Sequence, residues 1–562
     1  MIAPRLPNHG ALASANSIIG ERKERQKNGF KKDFFYNKFD FWLILATIFI
    51  SIISFLVFYF SGNKNLADYD AIARLNIARK IIDSLTPGFA QLGGIWLPFP
   101  QVLFLPFIWN KFLWHSGLAG AIPSMIAFII SAVFLYKTVY IITKNRFGGI
   151  LAWFVYVTNI NILFLQTMAM SESFFLFTLV MIVYFLTKWA KTKNILHLLY
   201  AAVFVILTTL TRYEGYALFG AATLSVGAVS AAIYSLKNKQ KIQGVVIFFV
   251  TLAVFGILLW SFYSFLIFKD PIYWLNLYTG KKLVIAVDPV VTVEGVGAVS
   301  EPDRNIKLFD ALKIYSTAML FINGIIISLL AAIAFLYLCA LNLLNVVRRK
   351  LDVLLTPIFI MTFCVFGFLI VGYSKGLIPK IETPMVTFAN ILNKNLNFGS
   401  SSNIRYGIIT LPLMAVMIGL VYGRNKLLTG IVFGLIIFQL YTLFATPFLL
   451  TFSLPKKAEY LEFEYSKWFR ENYDGGLILV SAHRHENFMF QTKLSYNNFI
   501  YEGSRKWWRN SLTDPTRHAT WVVLDENLSG DALGELLENK ELLYNNFEVV
   551  YSEGNLKIYK KL

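Results

Sequence analysis

The stretch FWLILATIFISIISFLVFYFSGNKNLADYDAIARLNIARKI (41–81) runs from an unbroken apolar segment straight into an acidic and then amphipathic one. About 20 apolar residues cross a bilayer as a helix, which the run 41–60 supplies. It lies too far inside the chain, and is too long, for a cleaved leader. Arg22, Lys23, Arg25, Lys27, Lys31, Lys32 and Lys38 precede it with few acids. It therefore reads as a signal anchor, with residues 1–40 a basic cytoplasmic tail and residue 61 onward outside.

Ten further apolar runs lie near 118–142, 148–166, 171–187, 195–211, 215–235, 243–268, 316–346, 353–373, 406–423 and 428–452, giving about 11 spans. The loops that alternation makes cytoplasmic carry Lys144 and Arg146; Lys188, Lys191 and Lys193; Lys237, Lys239 and Lys241; Arg348, Arg349 and Lys350; Arg424 and Lys426. Five short basic loops in succession satisfy the positive-inside rule. Residues 95–114 (IWLPFPQVLFLPFIWNKFLW) are apolar enough to cross, but Pro98, Pro100 and Pro106 interrupt them. Counting them as a span would invert every later loop, so they read as interfacial or re-entrant. The segments 61–117, 269–315, 374–405 and 453–562 then lie together on the outer side.

Composition agrees. Of 562 residues 56% are hydrophobic and 15% charged, against roughly a quarter charged in soluble proteins. That balance excludes disorder, a coiled coil or a nucleic-acid-binding arm. The net charge of +19 is loop bias and contact with anionic lipid, not a nucleic-acid footprint. Cys339 and Cys364 both sit in apolar runs, so neither a disulfide framework nor a Cys-based metal site can be built. The expected fold is a mainly α polytopic membrane protein: a module over 41–452 with outer loops, and a small α/β domain over 453–562. In the latter GLILVSAH (476–483), TWVVLDE (520–526) and FEVVY (547–551) read as strands, with Glu553-Gly554-Asn555 closing a hairpin.

Chemistry gathers on the outer side. Asp70, Arg74, Ile77 and Ile81 share one helical face, and Asp68, Ile72, Arg79 and Asp83 form a second stripe. A solvated interfacial helix and a general base beside anion-holding cations both fit. The order of motifs resembles the GT-C superfamily of integral-membrane glycosyltransferases, in the branch of protein O-mannosyltransferases and aminoarabinose lipid-A transferases. The features are ADYDAIARLNIARKI (67–81), TPGFAQLGGIWLPFPQVLFLPF (86–107), LQTMAMSESFFLF (165–177), Thr211-Arg212-Tyr213-Glu214-Gly215, and Asn403-Ile404-Arg405-Tyr406 before GIITLPLM. In that register Asp70 matches the family's catalytic aspartate and Ile77-Ala78-Arg79 its IAR. Asp68 has no counterpart, since Asp-Tyr-Asp replaces the usual Asp-Glu.

The resemblance implies a donor sugar on a polyprenyl phosphate, an acceptor hydroxyl on protein, glycan or lipid, and an enzyme in the plasma membrane. Asp70, with Asp68 beside it, would be the base, and mannose is one sugar it suggests. Arg74, Arg79, Arg212, Arg405, Lys375 and Lys380 are candidate partners of the departing phosphate, Arg212 and Arg405 first among them. Pairing of those two with Glu172 or Glu214, both candidate pocket residues, is the competing role. Asp68 and Asp70 form a D-x-D that could hold a divalent metal, as in oligosaccharyltransferases, but the mannosyltransferase branch implies no cofactor. His483 and His485 would share a strand face but lack a third ligand for zinc. Trp507-Trp508 among Arg505, Lys506 and Arg509 suggest membrane contact or packing against the spans, with sugar stacking an alternative. A transporter of lipid-linked glycans is a rival, though no internal repeat and no midplane ionisable residues point to it.

Overall fold

The computed structural model describes residues 38–278, 305–347, 352–381, 403–445, 461–526, 531, 533–534, 537 and 540–562. The basic tail up to residue 37, most of the loops 269–315 and 374–405, and the end of the last expected span lie outside the described residues.

Helix α1 (Lys38–Phe60) is the first span, and a short turn leads to α2 (Tyr69–Ile82). Asp68 caps α2, its Oδ1 accepting from the Asp70 amide at 2.9 Å. Residues 95–114 do not cross. They form α3 (Phe99–Ile108) and α4 (Lys111–His115), and α3 is too short to span. The Phe99 amide bonds to the Leu210 carbonyl at 2.9 Å, tying this segment to the same end of the spans.

The chain continues through α5 (Leu118–Thr143), α6 (Arg146–Val157), α7 (Ile160–Leu165), α8 (Ser171–Thr192), α9 (Ile195–Thr209), α10 (Gly215–Tyr234), α11 (Lys239–Ala253), α12 (Phe255–Phe268) and α13 (Tyr273–Tyr278). The expected span 148–166 is thus two pieces. Asn159 breaks it by accepting from the amides of Asn161 at 3.0 Å and Ile162 at 3.1 Å, which starts α7 afresh.

The expected span 316–346 is also divided, into α14 (Leu308–Asn323) and α15 (Ile325–Val347). Gly324 stands between them at φ +87°, and a Cβ there would lie 2.0 Å from Gln439 Nε2. Gln439 Oε1 accepts from the Ile326 and Ile327 amides at 2.8 and 3.2 Å, so one side chain caps the new helix inside the membrane layer. Then follow α16 (Thr356–Ser374), a 3-10 turn Ile404–Thr410 running into α17 (Leu411–Tyr422), and α18 (Lys426–Ala445). Among the described residues nine helices are long and apolar enough to cross a membrane. The apolar helices α3, α6 and α9 are shorter.

Helix α8 is the hub, with 89% of its apolar window buried, against 22% for α11–α12 and for α18. The outer helices turn Leu258, Phe262, Ile437 and Phe438 outward, where lipid is the solvent that suits them. The protein is an integral, multi-pass membrane protein.

The C-terminal residues form a five-stranded mixed sheet of order β2-β1-β3-β5-β4. The strands are β1 (Leu477–Val480), β2 (Phe499–Ile500), β3 (Ala519–Asp525), β4 (Phe547–Glu553) and β5 (Leu556–Lys561). Glu553 faces Leu556 across the expected hairpin, with Gly554 at φ +61° in its turn. The expected strand 476–483 stops at Val480, and His483 and His485 lie in helix α19 (Ala482–Gln491) instead. Trp508 does not face the membrane. It is wholly buried against Leu479, Ile500 and Val522.

Candidate functional site

One end of the membrane helices, α2 and the C-terminal unit enclose a cavity of about 570 Å³. Asp70 and Arg74 enter it from α2, Glu172 from the first turn of α8, Arg212 and Glu214 from the turn before α10, and Arg405 from the turn before α17. These positions are 335 residues apart at the extreme, and the fold brings them to one wall.

Carboxylates and guanidinium groups form a continuous chain there. Arg405 bonds to the Asp70 carboxylate, to Asp68 Oδ2 at 3.0 Å, and lies 3.5 Å from Glu172 Oε1. Arg212 reaches the same Glu172 oxygen at 3.0 Å, Glu214 Oε1 at 2.7 Å and Ser171 Oγ at 3.1 Å, and it lies over the Tyr406 ring at 4.9 Å. Burial alone would weaken the Arg212 charge, but Glu214 and Glu172 more than offset it and hold its pKa well above the ordinary value. Glu172 is only 3% exposed, so its ionised state depends on these two arginines. For Asp68 burial dominates: its pKa is raised despite Arg405, and the Asp70 charge adds to the rise.

Arg74 differs from the other two. It is 8% exposed, yet among the described residues it has no carboxylate at ion-pair distance, and its Nε has no hydrogen-bond partner. Its contacts are neutral: Ser171 Oγ at 3.4 Å, the Trp96 ring at 4.6 Å, and, with the Gln101 amide turned to satisfy its neighbours, the Gln101 oxygen at 3.2 Å. Burial therefore pulls its pKa below the ordinary arginine value. Asp70 and Glu172 offset that burial only in part.

Several residues of the sequence reading, Lys380 among them, do not line this cavity. Arg79 bonds to Asp83 at 2.7–2.8 Å and to the carbonyls of Ile108 and Trp109 at 2.9 and 3.1 Å, so its donors are spent on holding α2 to α3. Lys375 donates to Asn305 at 3.3 Å and does not line the cavity. Asp68 is behind the wall as helix cap and Arg405 partner. His485 turns to Asp531 at 3.2 Å, while His483 lines the cavity.

Sequence reasoning missed the far wall. Lys80, Glu486, Tyr501 and Glu502 line the cavity from α2 and the C-terminal unit. Only Lys80, about one helical turn beyond Asn76, carried any local signal; the rest belong to a segment whose docking no local pattern encodes. Among the described residues no three His, Cys, Asp or Glu side chains are grouped to hold a metal. At the D-x-D, the Arg405 guanidinium occupies the place between the two carboxylates that a cation would take.

No family model and no curated sequence matches the chain. Among solved structures it is similar to ArnT from Cupriavidus metallidurans, there bound to undecaprenyl phosphate, at 10% identity over 92% of this chain and 98% of that one, with a TM-score of 0.49. It is also similar to the Archaeoglobus fulgidus oligosaccharyltransferase, in its apo form, at 11% identity over 92% of this chain and 74% of that one, with a TM-score of 0.42. Both are membrane glycosyltransferases of the GT-C superfamily.

Proposed function

We propose that the protein is a glycosyltransferase of the GT-C type that moves a sugar from a polyprenyl-phosphate donor to an acceptor hydroxyl on the outer face of the plasma membrane. The N-terminus is then cytoplasmic and the C-terminal unit extracytoplasmic, as the basic loops require. The observation that carries the reading is Arg74: a buried guanidinium without a carboxylate, in the same cavity wall as Asp70, at the outer ends of the spans.

Asp70 takes the proton of the acceptor hydroxyl as its oxygen bonds to the anomeric carbon. The bond from that carbon to the phosphate oxygen breaks, and the lipid phosphate leaves with the electron pair. Arg74 meets the charge growing on the phosphate, with Arg405 next to it. The phosphate competes with Asp70 for Arg405, so seating the donor loosens the carboxylate that must act as base. Arg212 holds Glu172 and Glu214 and shapes the wall. No resident metal is needed, because guanidinium groups supply the positive charge.

The test offers purified protein mannosyl, glucosyl and arabinosyl polyprenyl phosphates, with peptide, glycan and lipid acceptors. Consumption of one donor, mannosyl being the first to try, with a glycosylated product supports the reading. Retention of all three donors in the presence of every acceptor would overturn it.

A further inference from the structure

Helix α2 has two working faces. One carries Asp70 and Arg74 to the spans; the other is held by the C-terminal unit through residues more than 400 positions away in sequence. Tyr69 donates to the His483 carbonyl at 2.7 Å. Asn76 Nδ2 donates to Glu486 Oε2 at 2.7 Å and to the Glu486 carbonyl at 2.9 Å, and Lys80 Nζ pairs with Glu486 Oε1 at 2.5 Å. Beyond the end of the helix, Asp83 accepts from Ser495 at 2.5 Å and from Asn497 at 2.9 Å.

The centre of this contact is buried. Asn76 is fully enclosed, Lys80 is 3% exposed and Glu486 8%. The Lys80 ammonium also lies 4.7 Å from the Tyr501 ring and 5.5 Å from that of Tyr496, both from the C-terminal unit. A lysine so enclosed depends on its one carboxylate, and its loss leaves a buried charge uncompensated. Asn76 and Lys80 lie about 9 and 15 Å along the helix axis from Asp70, within one rigid element. Movement of the Glu486 end is therefore movement of the Asp70 end.

We propose that Glu486 is a positioning residue for Asp70, acting through α2, so that the C-terminal unit sets the geometry of the reacting wall and does more than cover it. The proposal rests on the glycosyltransferase reading for its catalytic arm. A carboxylate on one protein unit clamps an asparagine and a lysine on the helix that presents the base, and the clamp sits in the cavity wall itself.

The experiment compares wild type, Glu486→Ala and the exchanged pair Lys80→Glu with Glu486→Lys, in nanodiscs. Amide hydrogen exchange over residues 69–82 and the rate of sugar transfer are both read. Glu486→Ala is expected to speed exchange in α2 about tenfold or more and to slow transfer by a similar factor, with span peptides unchanged; the exchanged pair should recover most of both. Should the exchanged pair not fold, Glu486→Gln, which keeps an acceptor for Asn76 and removes only the charge, must fall between wild type and Glu486→Ala in both readouts. Unchanged α2 exchange in Glu486→Ala, faster exchange with full transfer, or a folded exchanged pair without recovery would each overturn the proposal. Wild type that transfers no sugar would overturn the enzyme reading, while the exchange measurements would still decide whether Glu486 holds α2.

Discussion

Arg405, in the turn before α17, closes an ion pair with Asp70, in the first turn of α2. The candidate base is therefore engaged by a guanidinium that also holds Asp68. Replacement of Asp70 with Asn keeps the size of the side chain and removes its basicity. Transfer should fall by about 10²-fold or more while donor binding is kept or tightens, since Arg405 is released from the carboxylate. Turnover measured with labelled donor checks this, and a rate near wild type would remove Asp70 as base.

Arg74→Met should act in opposite directions on stability and on binding. The wild-type guanidinium is buried among neutral groups, so an apolar side chain of similar reach relieves a desolvation cost without orphaning a carboxylate. The donor-free protein should melt at an equal or higher temperature, while donor affinity falls about tenfold, or about 1.4 kcal/mol. Thermal melts paired with donor titration test both; undiminished affinity would remove Arg74 from the phosphate seat.

Arg212→Ala should behave differently. It strips Glu172 and Glu214 of a shared partner, at side chains only 3% and 12% exposed. A loss of about 3–5 kcal/mol is expected for breaking such a buried network from one side. Arg212→Ala together with Glu214→Gln should recover part of it. The thermal midpoint in detergent is the measurement, and an unchanged midpoint would contradict the network role.

His115 sets a pH window. Its ring lies 4.1 Å from that of Trp114 and 5.3 Å from that of Phe490, and neither nitrogen has a hydrogen-bond partner. Burial first, then Lys493, Arg79 and Lys111, hold its pKa down at about 4 from an ordinary 6.5. Between those values the unfolded chain takes the proton and the folded one does not. The contribution to stability is intact above 6.5 and is lost progressively as pH falls toward 4. His115→Phe keeps the ring contacts and should flatten that part of the stability curve, which melts at pH 7.5, 6 and 5 would show.

The apolar runs were legible because hydropathy is a local quantity. The breaks at Asn159 and Gly324 were not. A single small or polar residue inside an apolar run reads the same whether the helix continues or restarts, and what decides is a distant partner, Gln439 at the second break. Asp70, Arg74, Glu172, Arg212, Glu214 and Arg405 were all singled out from their motifs, and all line one cavity. Their ranking was not readable. Arg212 and Arg405 stood first as anion partners because they sit at span ends; Glu214, two residues from Arg212, was readable as its partner, while Glu172, Asp68 and Asp70 reach these arginines from distant parts of the chain. Arg79, by contrast, carried its own partner in Asp83 four residues on.

The bond between α2 and Glu486 also orders events during synthesis. The helix that presents Asp70 leaves the ribosome 406 residues ahead of its clamp. Every span can enter the bilayer before that clamp exists. Until Glu486 has been made, α2 has no clamp to hold it.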